Sequence, residues 1–345
     1  MQNPMNLKGL DLPELQALVE SLGEKRYRAE QLFRWLYQHG ARDFEEMTNL
    51  PKDLRARLQE SAAVSVLKTV TSQQSAKDGT VKFLFELQDG LRIESVLMFD
   101  DARTTLCVST QAGCAIDCKF CATGRLGLLR HLSAGEIVDQ VLQVQREARV
   151  QVTNVVFMGM GEPFHNYDQV LKACGLLSHD LGLNLARRHI VISTSGLVPQ
   201  IRRFAEEGHR YRLAISLNAT TDALRTELMP LNRKWPLSEL LAAARYYTEK
   251  SRTPVTFEYV LMAGLNDSDA DAERLRRLLR GLRCKVNLIP YNSTDGAFRR
   301  PSQARILAFF ERLASLRAPV TIRWSKGDDI AAGCGQLAGE AQTSS

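Results

Sequence analysis

The chain of 345 residues contains no apolar run long enough to cross a membrane and no apolar stretch typical of signal peptides. It also lacks short-period repeats and low-complexity tracts. We therefore expect neither a membrane protein nor a secreted one. The length is sufficient for one large domain with a sizeable core and a small appendage.

Acidic residues are in the minority, because 45 Lys and Arg face 39 Asp and Glu, giving a formal net charge of +6. A mild excess of positive charge favours an anionic partner, and nucleic acid is the commonest such partner. The seven cysteines do not suggest a disulfide framework, since their number is odd and they are spread along the chain. This usage predicts a cytoplasmic protein in a reducing environment.

Three cysteines, Cys114, Cys118 and Cys121, follow the spacing C-x₃-C-x₂-C. Three thiolates on one short loop can each bind a different iron of a [4Fe–4S] cluster, which leaves the fourth iron open to a small molecule. This spacing is the signature of radical S-adenosylmethionine (SAM) enzymes, in which SAM chelates the open iron. The alternative is a zinc knuckle, but it needs a fourth ligand, and only His131 is present within thirty residues downstream.

The first 63 residues predict a small helical accessory domain, with helices over 12–22, 28–39 and 51–59. Its second helix interleaves basic and aromatic residues, a pattern that suits contact with RNA. The residues concerned are Arg26, Tyr27, Arg28, Phe33, Arg34, Trp35 and Tyr37. The alternative is that Leu32, Phe33 and Leu36 belong to the core and that the arginines form a solvated face.

Residues 64–99 predict a β extension, because the hydrophobic period changes to two, with strands over 80–87 and 92–99 and another over 104–110. Strands and helices then alternate through residues 100–330. The strand candidates are 154–158, 189–194, 212–217, 255–262, 285–289 and 320–324, and the helix candidates are 133–146, 167–179, 199–207, 237–250, 270–282 and 302–316. These units predict an α/β fold with a partial (βα)6 TIM-like barrel. Residues 331–345 would form a C-terminal loop with a frayed tail from 340 onward.

Small polar residues follow several of the predicted strands, at 159–163, 193–196, 216–218 and 290–292. Each segment alone is an ordinary turn. Ligands of such barrels collect at the carboxyl ends of the strands, and the cysteine loop follows the strand at 104–110. We therefore expect a binding site on this rim, with the glycines of 159–163 allowing a ligand close to the backbone.

Two further cysteines stand apart from the triad. Cys107 precedes it on a predicted strand, and Cys334 lies far downstream on a glycine-rich loop. A flexible thiol flanked by glycines is a poor packing element but suits a mobile nucleophile. Cys174 and Cys284 occupy apolar positions, and we expect both to be small buried hydrophobes.

The chain resembles the RlmN/Cfr family of radical SAM RNA adenosine methyltransferases from its N-terminal helices to residue 339. Three segments carry the resemblance: Cys-Val-Ser-Thr-Gln-Ala-Gly-Cys-Ala-Ile-Asp-Cys-Lys-Phe-Cys, Gly-Met-Gly-Glu-Pro and Gly-Asp-Asp-Ile-Ala-Ala-Gly-Cys-Gly-Gln-Leu-Ala-Gly. Many radical SAM enzymes share the triad, whereas few share all three segments.

The resemblance implies one [4Fe–4S] cluster on Cys114, Cys118 and Cys121, and two molecules of SAM per turnover. It implies SAM contacts from Gly161, Glu162, Ser193, Ser216, Leu217, Asn218 and Asn292. Asn218 occupies a position at which many family members carry His, which puts its own contact with SAM in doubt.

The resemblance also implies a mechanism. One SAM would methylate Cys334, and a second would yield a radical that takes a hydrogen from the new methylthioether. The carbon radical would join an adenine, Glu94 would accept the ring proton, and Cys107 would release the RNA by forming a disulfide with Cys334. Carbon 2 of adenine is too electron-poor to attack SAM directly, so the cofactors supply the difficult chemistry. Without the resemblance, Glu94 is interpreted as a surface carboxylate paired near Arg92.

The implied target is carbon 2 of an adenosine in the peptidyl-transferase region of 23S rRNA, and of the adenosine beside the anticodon in some tRNAs. A flavodoxin-type electron donor and a monomeric state are expected. The Cfr branch methylates carbon 8 with the same cysteines; carbon 2 is preferred because members with that specificity are far more numerous. Two hypotheses from different classes stay open: a zinc-stabilised RNA-binding protein without catalysis, and a radical SAM enzyme with a small-molecule substrate.

Overall fold

A computed structural model describes residues 5–64, 66–294 and 296–339. The predicted frayed tail at 340–345 lies outside these residues. The N-terminal unit consists of β1 (Met5–Asn6), α1 (Leu12–Ser21), α2 (Tyr27–Tyr37), α3 (Lys52–Ser61) and β2 (Ala62–Ala63). β1 and β2 pair in parallel and bring the two ends of the unit together. A capping box starts α1, because the side chains of Asp11 and Glu14 each accept a hydrogen bond from the backbone amide of the other.

The aromatic residues of α2 are mostly part of the core. Phe33 and Tyr37 are fully buried, as are Leu32 and Leu36. Tyr27, by contrast, is 49% exposed, and the Arg28 guanidinium carbon lies 4.8 Å from the centre of its ring. The expected basic and aromatic RNA-facing surface is therefore only partly present, because one face of α2 is apolar and packs into the core.

The rest of the chain adds twelve strands and eight α-helices among the described residues. The strands are β3 (Lys68–Gln74), β4 (Val81–Glu86), β5 (Arg92–Asp100), β6 (Arg103–Cys107), β7 (Gln111–Gly113), β8 (Leu128–His131), β9 (Asn154–Phe157), β10 (Ile190–Thr194), β11 (Arg212–Ser216), β12 (Val255–Leu261), β13 (Cys284–Pro290) and β14 (Val320–Ile322). The helices are α4 (Ala122–Arg125), α5 (Ala134–Ala148), α6 (Tyr167–Ser178), α7 (Val198–Glu206), α8 (Asp222–Leu228), α9 (Leu237–Ser251), α10 (Asp269–Leu278) and α11 (Gln303–Arg312).

Ten strands form one sheet in the order β14-β13-β12-β11-β10-β9-β6-β5-β4-β3. β6 and β9 to β14 are parallel, whereas β3, β4, β5 and β6 pair antiparallel. The connections between successive parallel strands contain α5, α6, α7, α9, α10 and α11. This open arrangement of six strand–helix units confirms the partial-barrel prediction, and β14 adds a final parallel strand. Among the described residues, no helix is long and apolar enough to span a membrane.

The N-terminal unit is joined to α5 by a close backbone approach and a buried ion pair. Lys8 Nζ lies 2.5 Å from Asp139 Oδ1, and both side chains are almost inaccessible. The other Asp139 oxygen accepts a hydrogen bond from the Leu67 amide. A Cβ atom on Gly135 would lie 2.2 Å from the Lys8 carbonyl oxygen, so only glycine allows this contact.

Candidate active site

A cavity at the carboxyl ends of the barrel strands is lined by all three cysteines of the C-x₃-C-x₂-C motif. We call it the cysteine cavity. Its wall also contains residues that lie on or follow β9 to β12, namely Gly159, Gly161, Glu162, Ser193, Thr194, Ser195, Ser216, Asn218 and Glu258. The rim site expected from the strand ends is therefore present, and it includes five of the seven residues expected to contact SAM.

The cysteine loop is fixed to its neighbours through backbone hydrogen bonds. The Cys114 amide donates to the Gly127 carbonyl at 2.8 Å, beside the short β7–β8 pair. The Lys119 amide donates to the Leu228 carbonyl at 2.9 Å, at the end of α8. The loop therefore has a defined conformation that directs its three thiols to one cavity.

Burial favours the neutral form of two of these thiols, because it raises the pKa of Cys114 and of Cys118. Burial raises the pKa of Cys114 to about 12. Burial also raises the pKa of Cys118 well above its usual value, and the neighbouring Cys121 and Cys114 add to this shift. Metal binding requires thiolates, so a metal entering here would displace these protons and neutralise the gathered negative charge. The donor set is suited to such a group.

Glu162 connects two of the strand-end loops. Its carboxylate accepts hydrogen bonds from the Ser195 amide at 2.7 Å, the Ser195 hydroxyl at 2.6 Å and the Phe164 amide at 2.9 Å. Burial raises the pKa of Glu162 despite these donors. Gly161 has a φ of +101°, and a Cβ there would lie 2.6 Å from the Gln111 Cβ. Packing against Gln111 therefore requires glycine at position 161, and the close approach of a ligand to this backbone stays a prediction.

Two of the residues expected to contact SAM lie outside the lining of this cavity. Leu217 is fully buried, and its carbonyl accepts a hydrogen bond from Arg225. The Asn292 amide donates to the Cys334 carbonyl at 3.2 Å, and its oxygen accepts from Ser325 Oγ at 2.5 Å. The side chain of Asn292 therefore holds the segment that carries Cys334.

Asn218 lines the cavity in a left-handed conformation, with a φ of 58°. Its side-chain oxygen accepts from the Val260 amide at 2.9 Å, and its side-chain nitrogen lies 3.4 Å from the Met229 sulfur. Asn is one of the few non-glycine residues that adopt this conformation readily. These contacts join the end of β11 to β12.

Glu258 is a cavity residue that sequence reasoning missed. It lies near the middle of β12 and is 5% exposed. Oε1 accepts from Asn287 at 3.0 Å, whereas Oε2 is buried and has no hydrogen-bond partner among the residues that the structure describes. Burial raises the pKa of Glu258. An unpaired buried oxygen on the wall favours a ligand that brings a hydroxyl or amine donor, both of which SAM carries. A charged residue inside an otherwise apolar strand is the signal that could have found it.

Cys334 lies where the cysteine cavity meets a second one. This side cavity is lined by Cys107, Arg323, Trp324 and neighbouring residues of β5, β6 and the C-terminal segment. Cys334 lines both cavities, which share Met158, Ile289 and Gly335 as well. The structure therefore gathers Cys107, Cys334 and the triad around two adjoining cavities.

The two cysteines differ in accessibility. Cys334 is exposed, whereas Cys107 is 8% exposed, and all seven cysteines are free thiols. Burial raises the pKa of Cys107 to about 12, and the nearby Cys334 thiol contributes to the shift. Cys107 is therefore a protonated thiol at neutral pH in this conformation. Cys174 and Cys284 are buried in the core, as expected.

The segment around Cys334 is more firmly held than its glycines suggested. The Ala122 amide donates to the Gly335 carbonyl at 2.8 Å, and the Thr123 hydroxyl donates to the Leu337 carbonyl at 2.5 Å. A Cβ on Gly333 would lie 2.6 Å from Asn292 Nδ2, so this glycine is needed for close packing. The segment is thus anchored on the C-terminal side of Cys334 in this conformation, while Cys334 itself is exposed. The mobility of this loop stays a prediction.

Glu94 is part of the same anchorage. It is 2% exposed, lies 3.4 Å from Lys82 Nζ, and accepts hydrogen bonds from the Ala338 and Gly339 amides at 2.7 and 2.9 Å. The interpretation as a surface carboxylate is therefore wrong. Glu94 belongs to the lining of neither cavity. In this conformation its carboxylate holds the chain just beyond Cys334.

The zinc hypothesis gains no support. Among the described residues, no group of three or more His, Cys, Asp or Glu is arranged to hold a metal ion. His131, the one nearby candidate for a fourth ligand, forms a hydrogen bond of 2.9 Å with Gln111 and packs its ring against His165. Cysteines that bind separate irons of a cluster line a cavity rather than meet at one point.

Two family models match separate parts of the chain. Residues 5–64 match the ribosomal RNA large subunit methyltransferase N-terminal domain, and residues 108–275 match the radical SAM superfamily. The dual-specificity RNA methyltransferase RlmN of Pelobacter propionicus is 48% identical over 341 residues, which cover 99% of this chain and 97% of that protein. The chain belongs to the RlmN family of radical SAM RNA methyltransferases.

Further relatives agree with this assignment. The dual-specificity RNA methyltransferase RlmN of Syntrophobacter fumaroxidans is 48% identical over 98% of this chain and 99% of its own length. The crystal structure of a radical SAM methyltransferase from Sphaerobacter thermophilus superposes with a TM-score of 0.94 at 50% identity. It covers 98% of this chain and 100% of its own chain. The fold of that radical SAM methyltransferase is therefore shared over nearly the whole molecule.

Proposed function

We propose that this protein methylates carbon 2 of an adenosine in 23S rRNA, and of the adenosine beside the anticodon in some tRNAs, through a methyl group carried on Cys334. The position of Cys334 on the wall of both cavities supports this proposal most strongly. From there one sulfur can receive a methyl group on the side of the triad and meet Cys107 on the other side.

The residues present fit the cofactors that this reaction needs. Cys114, Cys118 and Cys121 would hold one [4Fe–4S] cluster, and the SAM site would be formed by Gly161, Glu162, Ser193, Ser216, Asn218 and Glu258. Leu217 and Asn292, which lie outside the cavity lining, would support the SAM site without contacting SAM directly. When bound, the cluster and two SAM molecules per turnover supply a methyl group and a hydrogen-abstracting radical.

Three side chains of the protein would carry out the transfer. Cys334 accepts the methyl group and, once activated, joins it to the adenine ring. Glu94 accepts the proton that leaves the ring, for which the segment at Ala338 must first release the carboxylate. Cys107 loses its thiol proton and forms a disulfide with Cys334 as the bond between the Cys334 sulfur and the carbon joined to the ring breaks. That carbon takes up a proton to become the methyl group, the one electron left over would return to the cluster, and the methylated RNA is freed.

The RNA would reach the site as an unpaired nucleotide, because an adenine inside a helix cannot approach Cys334. We assign initial contact to the N-terminal domain, residues 1–63, through Arg26, Arg28 and the exposed Tyr27. The β extension at 64–99, the barrel at 100–330 and the C-terminal segment from 331 then complete the protein. We further propose a monomer that works in the reducing cytoplasm, which fits its free thiols, and that receives electrons from a flavodoxin-type donor.

The decisive experiment is mass spectrometry of nucleosides from rRNA treated with reconstituted protein and its variants. We expect 2-methyladenosine with the unchanged protein and none with Cys334→Ala. Cys174→Ala is the matched control, since Cys174 is buried in α6 away from the cavities. Methylation by Cys334→Ala would reject the proposed methyl carrier. If the product were 8-methyladenosine, the carbon-8 alternative would replace the carbon-2 proposal. If the purified protein were colourless and contained zinc, the proposed enzymatic function would be rejected.

The role of Cys107 has a separate readout. Without it the bond between Cys334 and the RNA cannot be resolved, so Cys107→Ala should accumulate a covalent protein–RNA adduct. This species would migrate more slowly in a denaturing gel and disappear on ribonuclease treatment. Normal turnover by this variant without an adduct would contradict the resolving role.

A further inference from the structure

Arg225, on α8, is a fully buried arginine whose hydrogen-bond acceptors are all neutral. Its guanidinium donates to the carbonyls of Ser195 at 2.7 Å, Ser216 at 3.2 Å and Leu217 at 3.1 Å. A further donor meets the side-chain oxygen of Asn232 at 3.0 Å. The residue is 1% exposed. One cation therefore joins the loops that follow β10 and β11, and two of its partners, Ser195 and Ser216, line the cysteine cavity.

No carboxylate balances this charge at close range. Within the described part of the chain, no ion pair of 4.0 Å or less involves Arg225. The other deeply buried cations differ, because Lys8 pairs with Asp139 at 2.5 Å and Lys82 pairs with Glu94 at 3.4 Å. Burying a charge without an opposite charge is unfavourable by several kcal/mol. Burial accordingly lowers the pKa of Arg225 to about 10.

The helix that carries Arg225 is attached to the cysteine loop. The Leu228 carbonyl accepts the hydrogen bond from the Lys119 amide. Leu228 and Met229 form a small apolar cluster against which Cys118 and Phe120 pack. A thiolate at Cys118 would oppose the effect of burial on Arg225 most strongly, followed by the carboxylate of Asp222. The helix that carries the unbalanced cation is thus packed against the loop that carries the triad.

We propose that Arg225 is the fixed positive charge that balances the negative charge of a thiolate-ligated [4Fe–4S] cluster in the cysteine cavity and favours its one-electron reduction. This inference rests on the cluster of the proposed function. Reduction adds one negative charge to a buried group, and cluster potentials depend on nearby charge and hydrogen bonds. Coulombic attraction is strong where water is excluded. Arg225 is a positioning residue, since it acts through the cluster and contacts neither substrate nor reacting atoms.

A purely structural role makes a different prediction. If Arg225 only holds the three carbonyls, the properties of each variant should follow the number of hydrogen-bond donors that remain after substitution. If the charge of Arg225 matters, the properties should follow the charge that remains. Arg225→Lys keeps the charge with fewer donors in a different geometry, whereas Arg225→Gln removes the charge and keeps an amide donor. The two variants therefore separate the two roles.

The experiment is a reductive titration of the anaerobically reconstituted protein with dithionite, followed by electron paramagnetic resonance. For Arg225→Gln we expect the equilibrium constant for reduction to fall at least tenfold, a shift of about 59 mV to more negative potential for a one-electron couple. Arg225→Lys should stay within threefold of the unchanged protein. Arg274→Gln is the matched control, because Arg274 pairs with Asp271 within α10 and its replacement should leave the potential unchanged. An unchanged potential in Arg225→Gln would overturn the inference.

A second measurement covers the case in which a variant incorporates the cluster poorly. It is the free energy of unfolding in urea, determined for each variant with and without the cluster. Without the cluster we expect Arg225→Gln to be at least as stable as Arg225→Lys, because the charge is unbalanced. With the cluster that order should reverse, and the same order in both forms would overturn the inference. Iron and sulfide analysis of the unchanged protein separates failure of this inference from failure of the proposed function. If the unchanged protein bound no cluster, the proposed function itself would be rejected.

Discussion

The side-chain amide of Asn292 donates a hydrogen bond to the carbonyl oxygen of Cys334, with Nδ2 3.2 Å from that oxygen. The Asn292 oxygen accepts in turn from Ser325, so both ends of the amide are used by protein groups. A residue that the family resemblance implies as a SAM contact therefore supports the position of the proposed methyl carrier.

We predict that Asn292→Ala slows methyl transfer to Cys334 about tenfold, the equivalent of one hydrogen bond of about 1.4 kcal/mol. SAM affinity should change less than threefold. The measurements are single-turnover methylation of Cys334 by mass spectrometry and SAM binding by calorimetry. Ser293→Ala, at the exposed neighbouring position, is the control. An equal loss in SAM affinity would mean that Asn292 acts chiefly through SAM.

Glu94 and Lys82 form a buried pair, so removing the charge of one partner should be strongly destabilising. We predict that Glu94→Gln lowers the free energy of unfolding by about 3–5 kcal/mol, because Lys82 is left buried without an opposite charge. Urea denaturation measures this change. Glu86→Gln, on the neighbouring strand and paired with the exposed Lys68, should change it by about 1 kcal/mol or less. Equal effects of the two substitutions would contradict the importance of burial.

The contact between Gly135 and Lys8 predicts opposite effects for two glycine substitutions in helices. Gly135→Ala places a methyl group against the Lys8 carbonyl and should destabilise the protein by about 1–3 kcal/mol. Gly175→Ala, at an exposed position in α6 with nothing within 4 Å, should stabilise it by about 0.5–1 kcal/mol. Thermal unfolding of both variants checks the pair. A stabilising Gly135→Ala would show that the N-terminal unit does not pack on α5 as described.

Glu207 predicts a loss of stability at acid pH. Burial alone would raise the pKa of Glu207, but hydrogen bonds from Tyr167, His209 and Arg203 outweigh it and lower the pKa to about 2. A depressed pKa means that stability from this carboxylate is present above the unfolded value near 4.5 and is lost as the pH falls towards 2. The difference in melting temperature between the unchanged protein and Glu207→Gln should therefore shrink between pH 4.5 and pH 2. A constant difference would contradict this assignment.

Features encoded by local patterns were predictable from the sequence. The βα units carry strong hydrophobic periodicity, and the triad spacing lies within one loop, so short stretches of sequence suffice to recognise both. β3 was missed because its residues are polar and exposed at the sheet edge. β7 and β8 were missed because strands of three and four residues are too short to show alternation.

Features that depend on tertiary contact could not be predicted from the chain. Glu94 and Ala338 are far apart in sequence, and only the folded protein shows that the carboxylate holds the C-terminal segment. The same applies to Arg225, whose acceptors come from two separate loops. A charged residue in a largely apolar strand, such as Glu258 in β12, is a sequence signal for a residue of the site. It was missed because the hydrophobic pattern of β12 was interpreted only as evidence for a strand.

The hydrogen bond from Ala122 to Gly335 has a consequence for biosynthesis. Ala122 directly follows the third cysteine of the motif, yet its amide is paired with Gly335, more than two hundred residues later in the sequence. During translation the cysteine loop emerges from the ribosome long before this partner exists. The wall of the cavity is therefore completed only after residue 335 has been synthesised, and a product that stops before it would lack this wall even with every cysteine of the motif in place.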